Sequence, residues 1–345
     1  MPVCYPTIAL QDRTAVDLRS LRYFVQIAES GSITRAAEQL DIAQPALTRQ
    51  IQGIEAELGS QLLVRLPRGV RLTVAGRQFL DHCRRILREL DHAREELRNR
   101  SEVPSGRVIL GLSPTVGPLL LPGVVDRVRR QCPQITLKIV EWFSTQLYDA
   151  LLAGRVDVAV LTNAPPSRAL KLTPLISEPI VVLTPPQLRG TRRFYTLAEL
   201  SRTPIVTSEA IRHIVEEQIG RSGWRLNVEA EIDAIEAIRQ LLLRGMGPVI
   251  MPVSTFHSDI EAGRIAAFQI ADATVHRMLA LAYPTERKLP VAIDEISRVV
   301  VGEMNALFDA GVFSVPSAGA AAPRGKGSRT QRRANTRRAR ADARS

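Results

Sequence analysis

Residues 20–76 read SLRYFVQIAESGSITRAAEQLDIAQPALTRQIQGIEAELGSQLLVRLPRGVRLTVAG, a stretch that encodes three helices and a hairpin. Helical spacing starts at Asp17: Leu21, Phe24, Val25 and Ala28 recur at three- and four-residue steps until Gly31 stops the run. Ser32 is placed to cap a second helix whose apolar face is Ile33, Ala36, Ala37 and Leu40. A short turn at Asp41 and Ile42 leads into a third helix from Gln44, with Pro45 in the first turn, where its missing N–H is harmless. Leu47, Ile51, Ile54 and Leu58 form one stripe on that helix, and Pro45, Thr48, Arg49 and Gln52 point the other way. Beyond Leu58-Gly59, the apolar residues Leu62 to Val64 and the segment Arg71 to Thr73 flank Arg65, Pro67, Arg68 and Gly69, the pattern of a short two-stranded wing.

The exposed start of the third helix offers an amide, a hydroxyl and a guanidinium, the groups that read base edges in a major groove. Small Ala36 and Ala37 let two helices cross closely, as a helix-turn-helix requires. Arginines in the wing suit phosphates or a minor groove. A helical hairpin with a solvated polar face is the commoner meaning of any one such pair, and it is the wing following the hairpin that favours DNA.

Over its whole length this stretch resembles the DNA-binding domain of LysR-type transcriptional regulators, with AAEQL, QPALTRQI and LTVAG in the order of that family. The resemblance implies that Gln44, Pro45, Thr48 and Arg49 contact bases, with Gln52 on the same face. It implies that Ser32 and Thr34 approach phosphates and that Arg65 and Arg68 serve the wing. Thr48 stands where the family commonly has serine, and the hydroxyl is kept. Within the family the resemblance leans toward the branch of nitrogen assimilation control regulators.

From Ala75 to Arg100 no proline occurs, and no glycine after Gly76. Phe79, Leu80, Cys83, Ile86, Leu87, Leu90, Ala93 and Leu97 hold helical spacing among charges. The expectation is a long linker helix whose seam joins two copies of the chain, a role the family resemblance also implies; the alternative is a helix packed on its own domain. Val103-Pro104-Ser105-Gly106 marks a boundary.

The remainder alternates strand-like and helix-like segments, so it is expected to be an α/β module with a largely parallel sheet. In a first set, strands fall at Val108 to Leu112, Ile135 to Glu141 and Val156 to Leu161, with helices at Leu119 to Arg130 and Thr145 to Ala153. In a second, strands fall near Ile180 to Leu183, Pro204 to Val206, Val228 to Ile232, Val249 to Met251 and Ile265 to Phe268, with helices near Glu209 to Ile219 and Ile235 to Arg244. Leu279 to Tyr283 and a helix at Ile293 to Leu307 are expected to return to the first lobe.

ALLAGRVDVAVL and LLRGMGPVIMP are similar to landmarks of the two-lobed, periplasmic-binding-protein-like effector domain of the same family. The expected domains are an N-terminal extension, 1–16; a winged helix-turn-helix, 17–75; the linker, 76–102; effector lobe 1, 107–178 with 280–309; effector lobe 2, 179–279; and a basic tail, 314–345. In open α/β sheets ligands sit beyond the strand carboxyl ends, where helix N-termini offer N–H groups. Ser113, Thr115, Ser144, Thr145, Thr162, Thr207 and Ser208 stand at such places, and the resemblance implies that they line an effector cleft between the lobes. A helix cap or loop role is an even alternative for each of them. The family also implies a homodimer assembling into a tetramer, promoter or operator DNA as partner, and action through RNA polymerase.

The net charge of +11 is unevenly placed. Residues 314–345 hold eight arginines and one lysine against a single aspartate, giving +8 and leaving +3 for the rest. That tail lacks large apolar residues and is expected to be disordered, adding phosphate attraction at most. No apolar run reaches the roughly 18 residues of a membrane span, and the first residues do not read as a secretory signal, so a cytoplasmic protein is expected. Cys4, Cys83 and Cys132 lack metal-ligand spacing, and His82 and His92 form no constellation, so neither metal nor cofactor is expected.

An enzyme is disfavoured: GLSPTVG is not a nucleophile elbow, no HExxH or GxxxxGK occurs, and His213, His257 and His276 stand apart. A solute-binding protein would leave the first hundred residues unexplained. A winged-helix regulator of another family remains the closer rival.

Overall fold

The computed structural model describes residues 15–98, 104–188, 192–285 and 289–315. The basic tail beyond Val315, and residues 1–14 of the expected extension, lie outside the described residues.

Helices α1 (Leu18–Ser30), α2 (Ile33–Gln39) and α3 (Gln44–Leu58) are followed by strands β1 (Leu63–Arg65) and β2 (Val70–Leu72) and by the long helix α4 (Val74–Arg98). Asp17 starts α1 with a reciprocal cap: its carboxylate accepts the Ser20 N–H at 2.6 Å, and its own N–H donates to Ser20 Oγ at 2.7 Å. That backbone bond, more than any other influence, holds the Asp17 carboxyl below its ordinary value. Gly31 ends α1 at φ +62°, a left-handed position that suits glycine. β1 and β2 pair antiparallel from Leu63 opposite Leu72 to Arg65 opposite Val70, which makes the wing.

Leu21, Phe24, Ile27, Ala36, Ala37, Leu47, Ile51 and Ile54 form the core of this region, and Leu80 and Cys83 of α4 complete it. The expected seam of α4 is thus divided. Phe79, Leu80, Cys83 and Leu87 pack onto their own domain, with the Phe79 ring 5.1 Å from that of Phe24, while Ile86 stays exposed. Three short helices bury too little apolar surface to close a core by themselves, so the start of α4 supplies the missing side. Leu58, expected in the buried stripe of α3, is exposed, because it lies at the end of the helix, beyond the neighbours that cover Leu47, Ile51 and Ile54.

The chain then runs through β3 (Gly106–Leu112), α5 (Gly117–Gln131), β4 (Ile135–Glu141), α6 (Ser144–Leu152), β5 (Val158–Thr162) and β6 (Leu170–Thr184). It continues with β7 (Phe194–Tyr195), α7 (Leu197–Leu200), β8 (Ile205–Thr207), α8 (Glu209–Ile219), β9 (Val228–Glu231) and α9 (Ile235–Leu243). β10 (Val249–Pro252), α10 (His257–Glu261), β11 (Ala266–Ile270), β12 (His276–Pro284) and α11 (Val291–Asp309) complete it.

Two compact units divide the molecule. Among the described residues, one takes in those up to Ile176 together with Met278–Ala306; the other holds Ser177–Arg277 and those from Leu307 to Val315. In the first, β4, β3 and β5 run parallel and the returning β12 pairs antiparallel with β5, Leu279 opposite Thr162. Arg127 of α5 pairs with Glu303 of α11 at 2.9 Å. In the second the order is β7-β11-β6-β10-β8-β9, with β6 antiparallel to both β10 and β11 and β8 parallel to both β10 and β9. The C-terminal module is therefore two α/β lobes, joined to a winged helix-turn-helix through a long helix. Only the apolar end of β6 was legible in sequence; the stretch before it, with Lys171, Pro174 and Glu178, lacks an apolar run.

Candidate DNA interface and ligand-binding face

With Leu47, Ile51 and Ile54 of α3 buried, Gln44, Pro45, Arg49 and Gln52 are exposed and Thr48 half-buried on the opposite side. Gln44 Nε2 donates to Thr48 Oγ1 at 3.1 Å, one turn apart, which orients the amide. Arg49, Arg65, Arg68 and Arg71 have no ion pair among the described residues, so their guanidinium donors are available to phosphates and bases.

The wing is fixed to the helices. Val70 N–H donates to Gly31 O at 2.9 Å, and Gly69, at φ +92°, approaches the same carbonyl so closely that a side chain there would strike it. Ser32 Oγ accepts the Arg35 N–H at 3.4 Å as the cap of α2, and Thr34 is exposed in the first turn of that helix. The sequence reading missed Glu55, whose carboxylate on α3 accepts the Leu62 and Leu63 N–H groups at 2.7 and 3.1 Å and thereby ties α3 to the wing. Its i+7 and i+8 spacing leaves no periodic signal.

The seven hydroxyls at strand ends fall into two kinds. In the first unit Ser113, buried after β3, has its Oγ 3.3 Å from Thr115 Oγ1, and its carbonyl accepts the Val116 and Gly117 N–H groups as α5 begins. Ser144 Oγ accepts the Thr162 N–H at 2.8 Å, joining the start of α6 to the end of β5, and Thr145 is exposed beside it. In the second unit Thr207 is fully buried and donates to the Ile250 carbonyl at 2.9 Å, and Ser208 caps α8 by accepting the Ile211 N–H at 3.3 Å. Thr207 and Ser208 are thus engaged in holding β8 and α8, while Thr145 offers a hydroxyl at a helix start that is unengaged among the described residues.

A buried charge cluster in the second unit gave no signal in the sequence. Arg277 Nε donates to Glu178 Oε2 at 2.7 Å, Glu178 Oε1 accepts the Ser254 N–H at 2.8 Å, and Arg277 also reaches Ser254 Oγ at 3.4 Å. Ninety-nine residues separate the two charges, so only the fold brings them together. Burial also pushes the Cys83 thiol up to about 12. Among the described residues no group of three His, Cys, Asp or Glu side chains is placed to hold a metal ion, and no helix is long and apolar enough to cross a membrane.

Comparison with known proteins places these features in one lineage. Residues 18–77 match the bacterial regulatory helix-turn-helix protein, LysR family, and residues 101–304 match the LysR substrate binding domain. The nitrogen assimilation regulatory protein Nac of Klebsiella aerogenes is 34% identical over 245 residues, which cover 70% of this chain and 80% of that protein. An SDS degradation transcriptional activation protein from a Pseudomonas strain is 36% identical over 265 residues, covering 74% and 85%. Among solved structures, a full-length OxyR point variant from Pseudomonas aeruginosa superposes with a TM-score of 0.64 at 23% identity, over 84% of this chain and 95% of that one. Full-length CbnR complexed with its target DNA gives 0.60 at 23% identity, over 84% and 99%, and both likenesses are of fold. The exposed polar face of α3, the wing pinned to α1 and the two α/β lobes therefore belong together: the chain is a member of the LysR family of DNA-binding transcriptional regulators, with a substrate-binding effector domain and not an enzyme.

Proposed function

We propose that the chain reads operator DNA with the start of α3, Gln44, Pro45, Thr48, Arg49 and Gln52 meeting base edges while Ser32, Thr34, Arg65 and Arg68 meet phosphates. One observation carries this: Arg49 is exposed, with no counter-ion among the described residues, on a helix whose other face is held by Leu47, Ile51 and Ile54. An arginine so placed gives a bidentate contact to guanine at no internal cost.

The protein works in the cytoplasm as a homodimer through the exposed side of α4, where Ile86 is uncovered, and as a tetramer of two such dimers. Paired recognition helices then enter successive major grooves of a dyad-symmetric site. A small effector, with a carboxylate suited to helix N-termini, binds at the strand ends carrying Ser113, Thr115, Ser144, Thr145, Thr162, Thr207 and Ser208. The family's nitrogen regulators make control of nitrogen use the first response to examine. Effector binding shifts the arrangement of the DNA-binding domains, and through it access of RNA polymerase, by its difference in affinity for two states.

Binding to DNA from the upstream intergenic region, measured across a salt series beside random DNA, tests the reading. Selective binding that Arg49→Ala weakens and makes less selective supports it. Equal binding to random DNA, indifferent to Arg49 and lost on removal of residues 314–345, would give the binding to the basic tail and end it.

A further inference from the structure

The first unit contains a cavity of about 630 Å³, within the usual size of small-molecule sites, walled by α4 on one side and by β3 and β4 on the other. Six cations line it: Arg84, Arg88 and Arg94 from α4, Arg107 from β3, Lys138 from β4 and Arg155 from the turn before β5. Three of these are balanced. Arg84 pairs with Glu29 of α1 at 3.0 Å, Arg88 with Asp157 at 2.7 Å and Arg94 with Asp91 at 3.7 Å. Arg107, Lys138 and Arg155 have no carboxylate partner among the described residues.

Strand alternation explains why two of them face one way: Arg107, Ile109, Lys138 and Val140 all line the cavity, at i, i+2 positions of two paired strands. The Arg155 guanidinium lies 5.7 Å from the centre of the Trp142 ring, and its Nε is buried with no hydrogen-bond partner among the described residues. A buried donor left unmatched is costly, and a concave site concentrates its charge on whatever enters.

We propose that this cavity binds a small polyanion, a di- or tricarboxylate or a phosphorylated metabolite, at a site apart from the strand-end hydroxyls. Three uncompensated cations around one cavity match two or three negative charges, and Trp142 adds an apolar wall. The cavity suits a metabolite; a DNA duplex is too wide to enter it. The bound anion competes with Glu29 for Arg84 and with Asp157 for Arg88, the two pairs, one turn apart on α4, that tie this helix to α1 and to the start of β5. Occupancy is thereby coupled to how α4 holds the DNA-binding helices.

Calorimetric titration of the full-length protein with citrate and, separately, with inorganic pyrophosphate tests the site and tells the two chemistries apart. The expected result is saturable binding of at least one probe, weakened roughly tenfold or more by the double variant Arg107→Ala/Lys138→Ala, which removes two charge-assisted contacts. Arg332→Ala/Arg333→Ala removes the same charge from the tail and is expected to leave affinity unchanged. Lys138→Glu, an exposed single change, gives the same test should the double variant fold poorly. No saturable binding, or equal loss in the tail variant, would overturn the proposal. So would a double variant that loses affinity for every DNA without any anion effect, since its cations would then serve the duplex. A double variant that changes only the oligomeric state would place a second copy of the chain there instead, and would overturn it too.

Discussion

On α3, Arg49 is exposed and has no counter-ion among the described residues, whereas in the second unit Arg277 is 1% exposed and held against Glu178, itself 0% exposed. Solvation decides the difference. In water a guanidinium needs no partner and keeps its donors for a ligand; fully enclosed, as at Arg277, it is held by a carboxylate and hydrogen bonds that spend its donors on the fold. The helix-turn-helix region thus holds exposed cations without counter-ions among the described residues, and the effector region uses a buried one to fix β6 against β12.

The sharpest way to break that contrast is to remove the buried partner. Arg277→Ala leaves Glu178 without its ion-pair partner in a closed interior and is expected to cost about 3–5 kcal/mol in urea unfolding, while Arg277→Met with Glu178→Leu recovers most of it. A loss below about 1 kcal/mol would show that water reaches the pair. Arg49→Ala is expected to do the reverse. DNA affinity falls by about 1–3 kcal/mol, with selectivity lost at one base position, while unfolding stays within about 0.5 kcal/mol of the parent. Should the unfolding midpoint fall with the affinity, Arg49 would be part of the scaffold.

Arg68→Ala in the wing sharpens the comparison within the DNA-binding region. Its effect is expected to be smaller and even across sequences, with the slope of log affinity against log salt reduced by about one. The smallest effect concerns Cys83, a thiol under the same rule of burial. Its value of about 12 stands above the ordinary 9.0, so the folded state keeps the proton longer than the unfolded one. The stability this gives is full below about pH 9 and lost as pH rises toward about 12. At about pH 8, below both values, the native thiol is expected to resist alkylation and to react at once in denaturant; rapid native labelling would show that α4 opens from α1.

Much of this was written locally. Gly31, Ser32, Pro45 and the spacing of Leu47, Ile51 and Ile54 are signals carried within a turn or two of helix, so α1, α2 and α3 could be placed from them, and with them the face bearing Arg49. The strands β3, β4 and β5 were equally legible, being short apolar runs bounded by turns. The strand-end hydroxyls were visible as positions, but whether Thr207 donates to Ile250 or to a ligand depends on a strand 43 residues away.

By itself, then, the sequence determined the winged helix-turn-helix, the exposed polar face of α3 and the α/β character of the rest, because helix caps, apolar periods and turns act over a few residues. Only the tertiary structure decided where the face of α4 is spent, which hydroxyls are already engaged, how Glu178 meets Arg277, and that six cations surround one cavity. Those outcomes rest on contacts between residues tens of positions apart, whose attraction and desolvation depend on distance in space and leave no period along the chain.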